Sequence, residues 1–399
     1  MANHAGTTPP NTASGILAAA RAAVPQLIAA RERIEAQRSL PADIVELLRS
    51  TGVFRMGVSR ERGGPELDSI QQTHVIETLA LGDAAAAWCA MIGMDTGLYA
   101  RFLSKAAVDE LMPDLDMVTA GLVLPAGTAE RVEGGYRLRG RWRFGSGIAH
   151  ADLVIAGAFV SSKGKRESAP SGAPATRVFV LKPEQVCIHD TWLTTGLNGT
   201  GSHDYEVDDV FVPEAHTFSF GTPVSGTGPL SLPDAFVRNM PGVPLGVARA
   251  ALDHVREVVE TRTFPATGLA WKDDYRMQHT IGECEMELSA ARHAAYGTLT
   301  DLWSRIGENG TLDDLTPDER TSTVLARVNS FRAGRSIVGR LGDLVGTMSI
   351  YRTSPLERWK RDLDTMRQHI VVQDQIIQSA GAHLVGGRPL FPFALGFTE

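Results

Sequence analysis

The feature that most constrains this chain is a double change of hydrophobic period. From residue 15 to about residue 116, apolar side chains recur every three or four positions, beginning with Ile16, Leu17, Ala20, Ala23, Leu27, Ile28 and Ile34. That is the spacing of a helix face. The second, third and fourth helices are expected from 41, over 69–81 and over 84–103, the last almost wholly apolar. Near Met117 the period drops to two. Alternating segments at 118–124, 130–132, 136–144, 153–160, 177–181, 186–189 and 205–212 are separated by Gly, Pro, Asp and Ser, as in antiparallel strands. A Gly/Pro/Ser-rich stretch follows, and then long amphipathic segments at 235–261, 274–306, 317–351 and 355–384, enough for a four-helix bundle. The sequence therefore predicts a mainly α chain with a central β domain. Its parts are a disordered N-terminus over 1–14, a helical domain over 15–116, an antiparallel β-barrel over 117–219, a linker over 220–234 and a C-terminal four-helix bundle over 235–399.

Composition removes several classes of function. With 39 Lys+Arg against 46 Asp+Glu the formal charge is −7, and no basic run offers a face for nucleic acid. Cys89, Cys187 and Cys284 lie far apart, so a disulfide framework or CxxC site is not expected. No membrane span is expected, since no stretch approaches roughly 20 apolar residues; the expectation is a cytoplasmic protein. Neither GxGxxG nor GxxxxGK[ST] occurs, so a nucleotide cofactor would need another architecture. None of the eleven histidines follows a Glu by three positions, which removes the di-iron signature of helical bundles; no metal is expected.

Three motifs carry chemistry. The first, GRWRFGSGIAH at 140–150, places Trp142 and Phe144 before Gly145, Ser146 and Gly147. It reads either as a flat aromatic surface beside backbone N–H groups and a hydroxyl, suited to an isoalloxazine ring, or as a strand ending in a glycine turn. In the second, at 191–204, Trp192 leads into GLNGTGSHD, with Thr200 and Ser202 among three glycines that let backbone approach a ligand or simply form a turn. The third, SPLERWKRDLDTMRQH, covers 354–369.

With their order and spacing, these motifs resemble the acyl-CoA dehydrogenase fold, and within it the two-component flavin-dependent (group D) monooxygenases. The resemblance runs from about residue 30 to residue 385. It implies a site that holds reduced FMN, or FAD, supplied by a separate flavin reductase, with Trp142, Phe144, Gly145, Ser146, Gly147, Trp192, Thr200, Ser202 and Arg262 against the cofactor. It also implies a homotetramer. Two positions depart from the family, Gly145 where a hydroxyl residue is common and Asn198 where Arg is common.

A dehydrogenase of this fold needs a carboxylate base, yet the two family positions for it hold Ile370 and Phe236. His369 stands eight residues after Arg361, the spacing of the monooxygenase branch, and an imidazole can hold or deliver a proton near neutrality. The expected function is oxygenation of a small aromatic or amine substrate through a C4a-hydroperoxyflavin, with His369 and Ser146 as catalytic residues and Trp88, Met91 and Asp95 near the substrate. Asp95, a carboxylate among apolar neighbours, would suit an amine. An FAD-bound dehydrogenase or oxidase, and a non-catalytic helical scaffold, are the alternatives.

Overall fold

The computed structural model describes residues 8–396, except 171 and 222. Its N-terminal part contains α1 (Ala13–Gln37), α2 (Ala42–Ser50), α3 (Ser69–Gly82), α4 (Ala84–Gly93), α5 (Thr96–Tyr99) and α6 (Lys105–Leu111). The Thr12 hydroxyl accepts the Gly15 N–H and starts α1. This start is not frayed over 8–14, because Asn11 donates to Gly63 O at 2.8 Å and Pro9 O accepts from Arg55 at 3.1 Å; residues 1–7 lie outside the described residues. Contrary to expectation, α1 is long and apolar enough by composition to cross a membrane, the single such helix among the described residues. Its stripe of Ile16, Ala20, Ala23, Leu27, Ala30 and Ile34 is buried in the helical core, and Arg31 on the same helix donates to Gly82 O at 2.5 Å.

The expected helix over 84–103 is interrupted after Gly93. Thr96 Oγ1 bonds Gly93 O at 3.1 Å and Met117 O at 2.7 Å, a local side-chain bond that competes with the helical ladder.

Eight strands follow: β1 (Thr119–Val132), β2 (Gly135–Gly145), β3 (Leu153–Ser162), β4 (Lys165–Arg166), β5 (Thr176–Leu181), β6 (Cys187–His189), β7 (His203–Pro213) and β8 (Thr217–Phe218). They form one sheet in the order β6-β7-β2-β1-β3-β5-β8, with β4 on β3. Two expectations are corrected. The sheet has ends at β6 and β8 and so is not a closed barrel, and β1 pairs with β3 in parallel, from Thr119↔Leu153 to Glu130↔Ser161. One face buries Tyr136, Leu138, Trp142, Phe179 and Tyr205, and the other packs Ile155, Val178 and Val180 against Tyr99, Phe102 and α6.

The linker is docked: the N–H groups of Val224 and Ser225 donate to Arg101 O at 2.8 and 3.0 Å, and Leu230 is buried. The C-terminal part holds α7 (Gly242–Thr261), α8 (Tyr275–Ile306), α9 (Pro317–Val345), α10 (Pro355–Met366) and α11 (Asp374–Leu384). Residues 235–241 are a 3-10 turn and loop rather than the start of α7. The expected fourth helix is two helices, broken where His369 adopts an extended ψ of 135°. Arg367 holds that break by donating to Val372 O and, at 2.9 Å, to Asp374 Oδ1.

Candidate active site

Four segments distant in sequence meet around Trp88. On α4 its indole Nε1–H donates to Ser146 Oγ at 3.2 Å, and its ring stands 5.5 Å from that of His369 at 69°. Ser146 Oγ lies 2.7 Å from Ser202 Oγ, which lies 2.6 Å from Thr200 Oγ1. Thr200 Oγ1 donates to Leu197 O at 2.8 Å. A hydroxyl has one proton, so the direction of this chain is fixed. Thr200 spends its proton on Leu197 O and must accept from Ser202, and Ser202 must accept from Ser146. Ser146 therefore receives from Trp88, gives to Ser202, and keeps one lone pair as an acceptor.

This corrects one expectation about the GSG segment. The Ser146 N–H donates to Phe144 O and the Gly147 N–H to Thr200 O, both at 2.8 Å, so neither backbone group is free for a ligand. Trp142 is also displaced from its expected role. It is fully buried on the inner face of the sheet, stacked on Tyr205 at 5.5 Å, and its Nε1–H donates to Gly157 O at 2.7 Å. Phe144 does face outward, 59 % exposed at a φ of 64°, with the Trp192 ring edge-on at 6.3 Å. Leu193, 75 % exposed, extends the apolar surface. The exposed Phe144 ring, with Trp192 standing perpendicular to it, beside a buried acceptor hydroxyl fits a flat ring whose edge carries an N–H.

The glycines of the 194–201 loop serve docking onto helices rather than a ligand. A Cβ on Gly196 would lie 2.1 Å from Arg361 O, and one on Gly199 2.1 Å from Ile34 Cγ2. The loop is clamped further by Leu197 N–H donating to Asp362 Oδ1 at 2.6 Å and by Arg361 donating to Thr195 O. Arg361 in turn bridges Glu357 at 2.6 Å and Glu35 of α1 at 2.7 Å. The Arg-Asp pair of the third motif is thus a positioning device. Burial pushes the Asp362 carboxyl up to about 7 against the opposing Leu197 N–H.

His369 sits in the break between α10 and α11, partly exposed, and its Nδ1 accepts the Val371 N–H at 3.5 Å. The neutral ring then carries its proton on Nε2. Burial, with the Arg327 guanidinium adding to it, pushes its pKa down to about 4. His150, in the first motif but not singled out from sequence, lies against Gly147 with no hydrogen bond at either ring nitrogen, and burial likewise takes it to about 4.

Met91 and Asp95 are buried. Asp95 Oδ1 has no partner, and its other oxygen is 3.4 Å from Tyr99 OH. Burial holds that carboxyl well above the usual range, which weakens it as a counter-charge for an amine. Arg262 ends α7 exposed, and its side chain makes no hydrogen bond or ion pair among the described residues. Ile370 and Phe236, at the two base positions, are partly buried apolar side chains packed on the helical core. Arg327 was missed: its signal is an arginine on the stripe Val324, Arg327, Phe331, Gly334, Val338 of α9, buried throughout.

Comparison with known proteins gives the same frame. Residues 12–115 match the family model "Acyl-CoA dehydrogenase, N-terminal domain" and residues 241–374 match "Acyl-CoA dehydrogenase, C-terminal domain". The chain is 31 % identical over 365 residues to an indole-3-acetate monooxygenase of Pseudomonas putida, covering 89 % of each chain. It is 26 % identical to the oxygenase component of an FADH2-dependent resorcinol hydroxylase of a Rhizobium species, covering 90 % of this chain and 91 % of that one. The structure of KijD3 with FMN and a dTDP-3-amino sugar superposes with a TM-score of 0.82 at 20 % identity, covering 98 % and 99 % of the two chains. The chain belongs to the acyl-CoA dehydrogenase family, and within it to the flavin-dependent monooxygenases, the oxygenase components that work with reduced flavin.

Proposed function

We propose that this oxygenase component takes reduced flavin from a separate reductase in the cytoplasm, and that its substrate is a small aromatic compound held beside Trp88 and His369. The observation that carries the reading is Trp88 itself, one side chain in contact with both the proton-bearing imidazole and the acceptor hydroxyl of Ser146. The relatives named for indole-3-acetate and resorcinol support an aromatic substrate. Reduced flavin, when bound, supplies the electrons that activate O2.

Phe144 would lie against the flat face of the cofactor with Trp192 bordering it edge-on, and Ser146 would accept an N–H from the cofactor's edge. His369 Nε2–H would donate a hydrogen bond to developing negative charge on oxygen, and the ring is neutral at physiological pH, so it neither attracts nor repels an incoming group by charge. Trp88 and the apolar side chains of α4 exclude water from the reacting atoms. With Ile370 and Phe236 at the base positions, no carboxylate is available there to abstract an α-proton, which argues against dehydrogenation. FMN is our choice of flavin, with FAD as the alternative. Exposed apolar side chains on the bundle, Tyr275, Met286, Ile350 and Tyr351, support a homotetramer, with Arg262 of one subunit reaching toward a neighbour's cofactor.

Anaerobic titration with oxidised and reduced FMN and FAD, then exposure to 18O2 with indole-3-acetate or resorcinol, tests this. The expected outcome is tighter binding of the reduced form and one labelled oxygen in the product. Absence of reduced-flavin binding would overturn the reading. Light scattering tests the tetramer.

A further inference from the structure

Arginines in this protein repeatedly present the same edge of the guanidinium, Nε with Nη2, to a carboxylate. Arg238 meets Asp234 through Nε at 2.9 Å and Nη2 at 2.5 Å. Arg131 meets Glu167 at 3.0 and 3.1 Å. Arg55 meets Asp116 the same way, through Nε at 2.8 Å and through Nη2. Arg327 breaks the pattern. It is 1 % exposed, and the Nε and Nη2 of that same edge have no hydrogen-bond partner. The nearby carboxylate, Asp234, is already taken by both of those bonds from Arg238. A guanidinium stays charged at any physiological pH, and an unpaired charge in a protein interior is costly.

Arg327 is also close to the chemistry. It lies on α9 two turns before Gly334, which abuts Pro244 and Leu363, and α9 packs on the turn Ile370–Val372 that follows His369. Its charge is felt at the His369 imidazole. Two more buried oxygens without partners, Asp95 Oδ1 and Asn239 Oδ1, flank the same junction: Tyr99, which bonds Asp95, packs on Phe236 at 6.3 Å, and Asn239 Nδ2 reaches Met94 Sδ at 3.2 Å. Unsatisfied polar atoms therefore gather where the α4–α5 break, the 234–241 segment and α9 meet.

We propose that Arg327 is the receptor for a carboxylate carried by the substrate, which docks side-on against Nε and Nη2 while its aromatic ring lies toward Trp88 and His369. The enzyme then takes aromatic acids in preference to neutral arenes or amines. A carboxylate matches the free edge with two parallel hydrogen bonds, whereas an ammonium group would be repelled. This rests on the oxygenase reading above and narrows its substrate class. The name of the Pseudomonas putida relative, which acts on an arylacetate, agrees with it.

The test compares indole-3-acetate with the uncharged 3-methylindole on the full-length protein, wild type and Arg327→Met, by calorimetric binding and, separately, by turnover with reductase-supplied flavin. Arg327→Met should weaken indole-3-acetate binding by about 30-fold or more, the loss expected for a charge-assisted bidentate pair, and change 3-methylindole by less than about 3-fold. Arg327→Lys should recover only part of the loss, because an ammonium lacks the fork. Melting temperature separates a structural role: Met in place of an unpaired buried charge should leave it unchanged or raise it. Equal losses for both ligands, no loss for either, or a collapse in melting temperature with the charge removed would each overturn the proposal. Arg327-dependent binding without any oxygenation would sustain the proposal and overturn the oxygenase reading. Turnover of the neutral arene that is indifferent to Arg327→Met, with no preference for the acid, would do the reverse.

Discussion

Ser146 owes its role to the hydroxyls behind it. Because Ser202 and Thr200 pass the proton inward to Leu197 O, Ser146 can only accept from a ligand, and reduced flavin has an N–H at N5 where the oxidised form has a lone pair. Ser202→Ala removes the sink, so the Ser146 proton turns free to donate. The expected result is about a 10-fold loss in the preference for reduced over oxidised flavin, the scale of one hydrogen bond, read from paired titrations. His369 supplies a second prediction. Its pKa of about 4 in the fold is below the ordinary value near 6.5, so between those limits the unfolded chain binds the proton and the native one does not. Stability is thus lost as pH falls from about 6.5 to about 4, by up to about 3 kcal/mol from this group. His369→Gln, unable to titrate, should lose less over that window in urea melts at pH 7, 5.5 and 4.5. Asp362, pushed up to about 7, acts in the opposite sense, with stability lost as pH rises from about 4 to 7, so comparison of the variant with wild type is the informative measure.

At the scale of elements, the 194–201 loop and α10 form one unit. Gly196 touches Arg361 O so closely that any Cβ must push the loop away. Gly196→Ala should cost about 1–3 kcal/mol by overpacking against rigid backbone and should lower flavin affinity, because Thr200 and Ser202 move with the loop; thermal melts and flavin titration report the two. Asp362→Asn keeps an acceptor for the Leu197 N–H and should be far milder. The sequence made the existence and order of these elements legible, because periods of 3.6 and 2 follow directly from which face is buried. Its failures have local causes. The break at His369 was invisible because Ile370, Val371 and Val372 continue an apolar pattern, while the cause is the Arg367 side chain capturing Val372 O. Trp142 was misplaced because alternation along β2 shows that a residue faces one side, not which side is the core. The parallel pairing of β1 with β3 depends on contacts between segments far apart, which no local spacing encodes.

At the scale of the molecule, the order of parts read from the sequence is the order observed: helices, then sheet, then helices. Arg327 escaped because an arginine on a buried stripe announces a charge without naming what neutralises it.

The docking of the 194–201 loop has a kinetic consequence. The hydroxyl chain exists only once Gly199 lies on α1 at Ile34 and Gly196 lies on α10 at Arg361, contacts that close more than 160 residues of chain on either side. Such long loops are slow to close, so the flavin site should form late in folding. Flavin added during refolding should therefore leave the folding rate unchanged and slow only unfolding, a division that stopped-flow measurements with and without the cofactor would read as one shifted arm of the chevron.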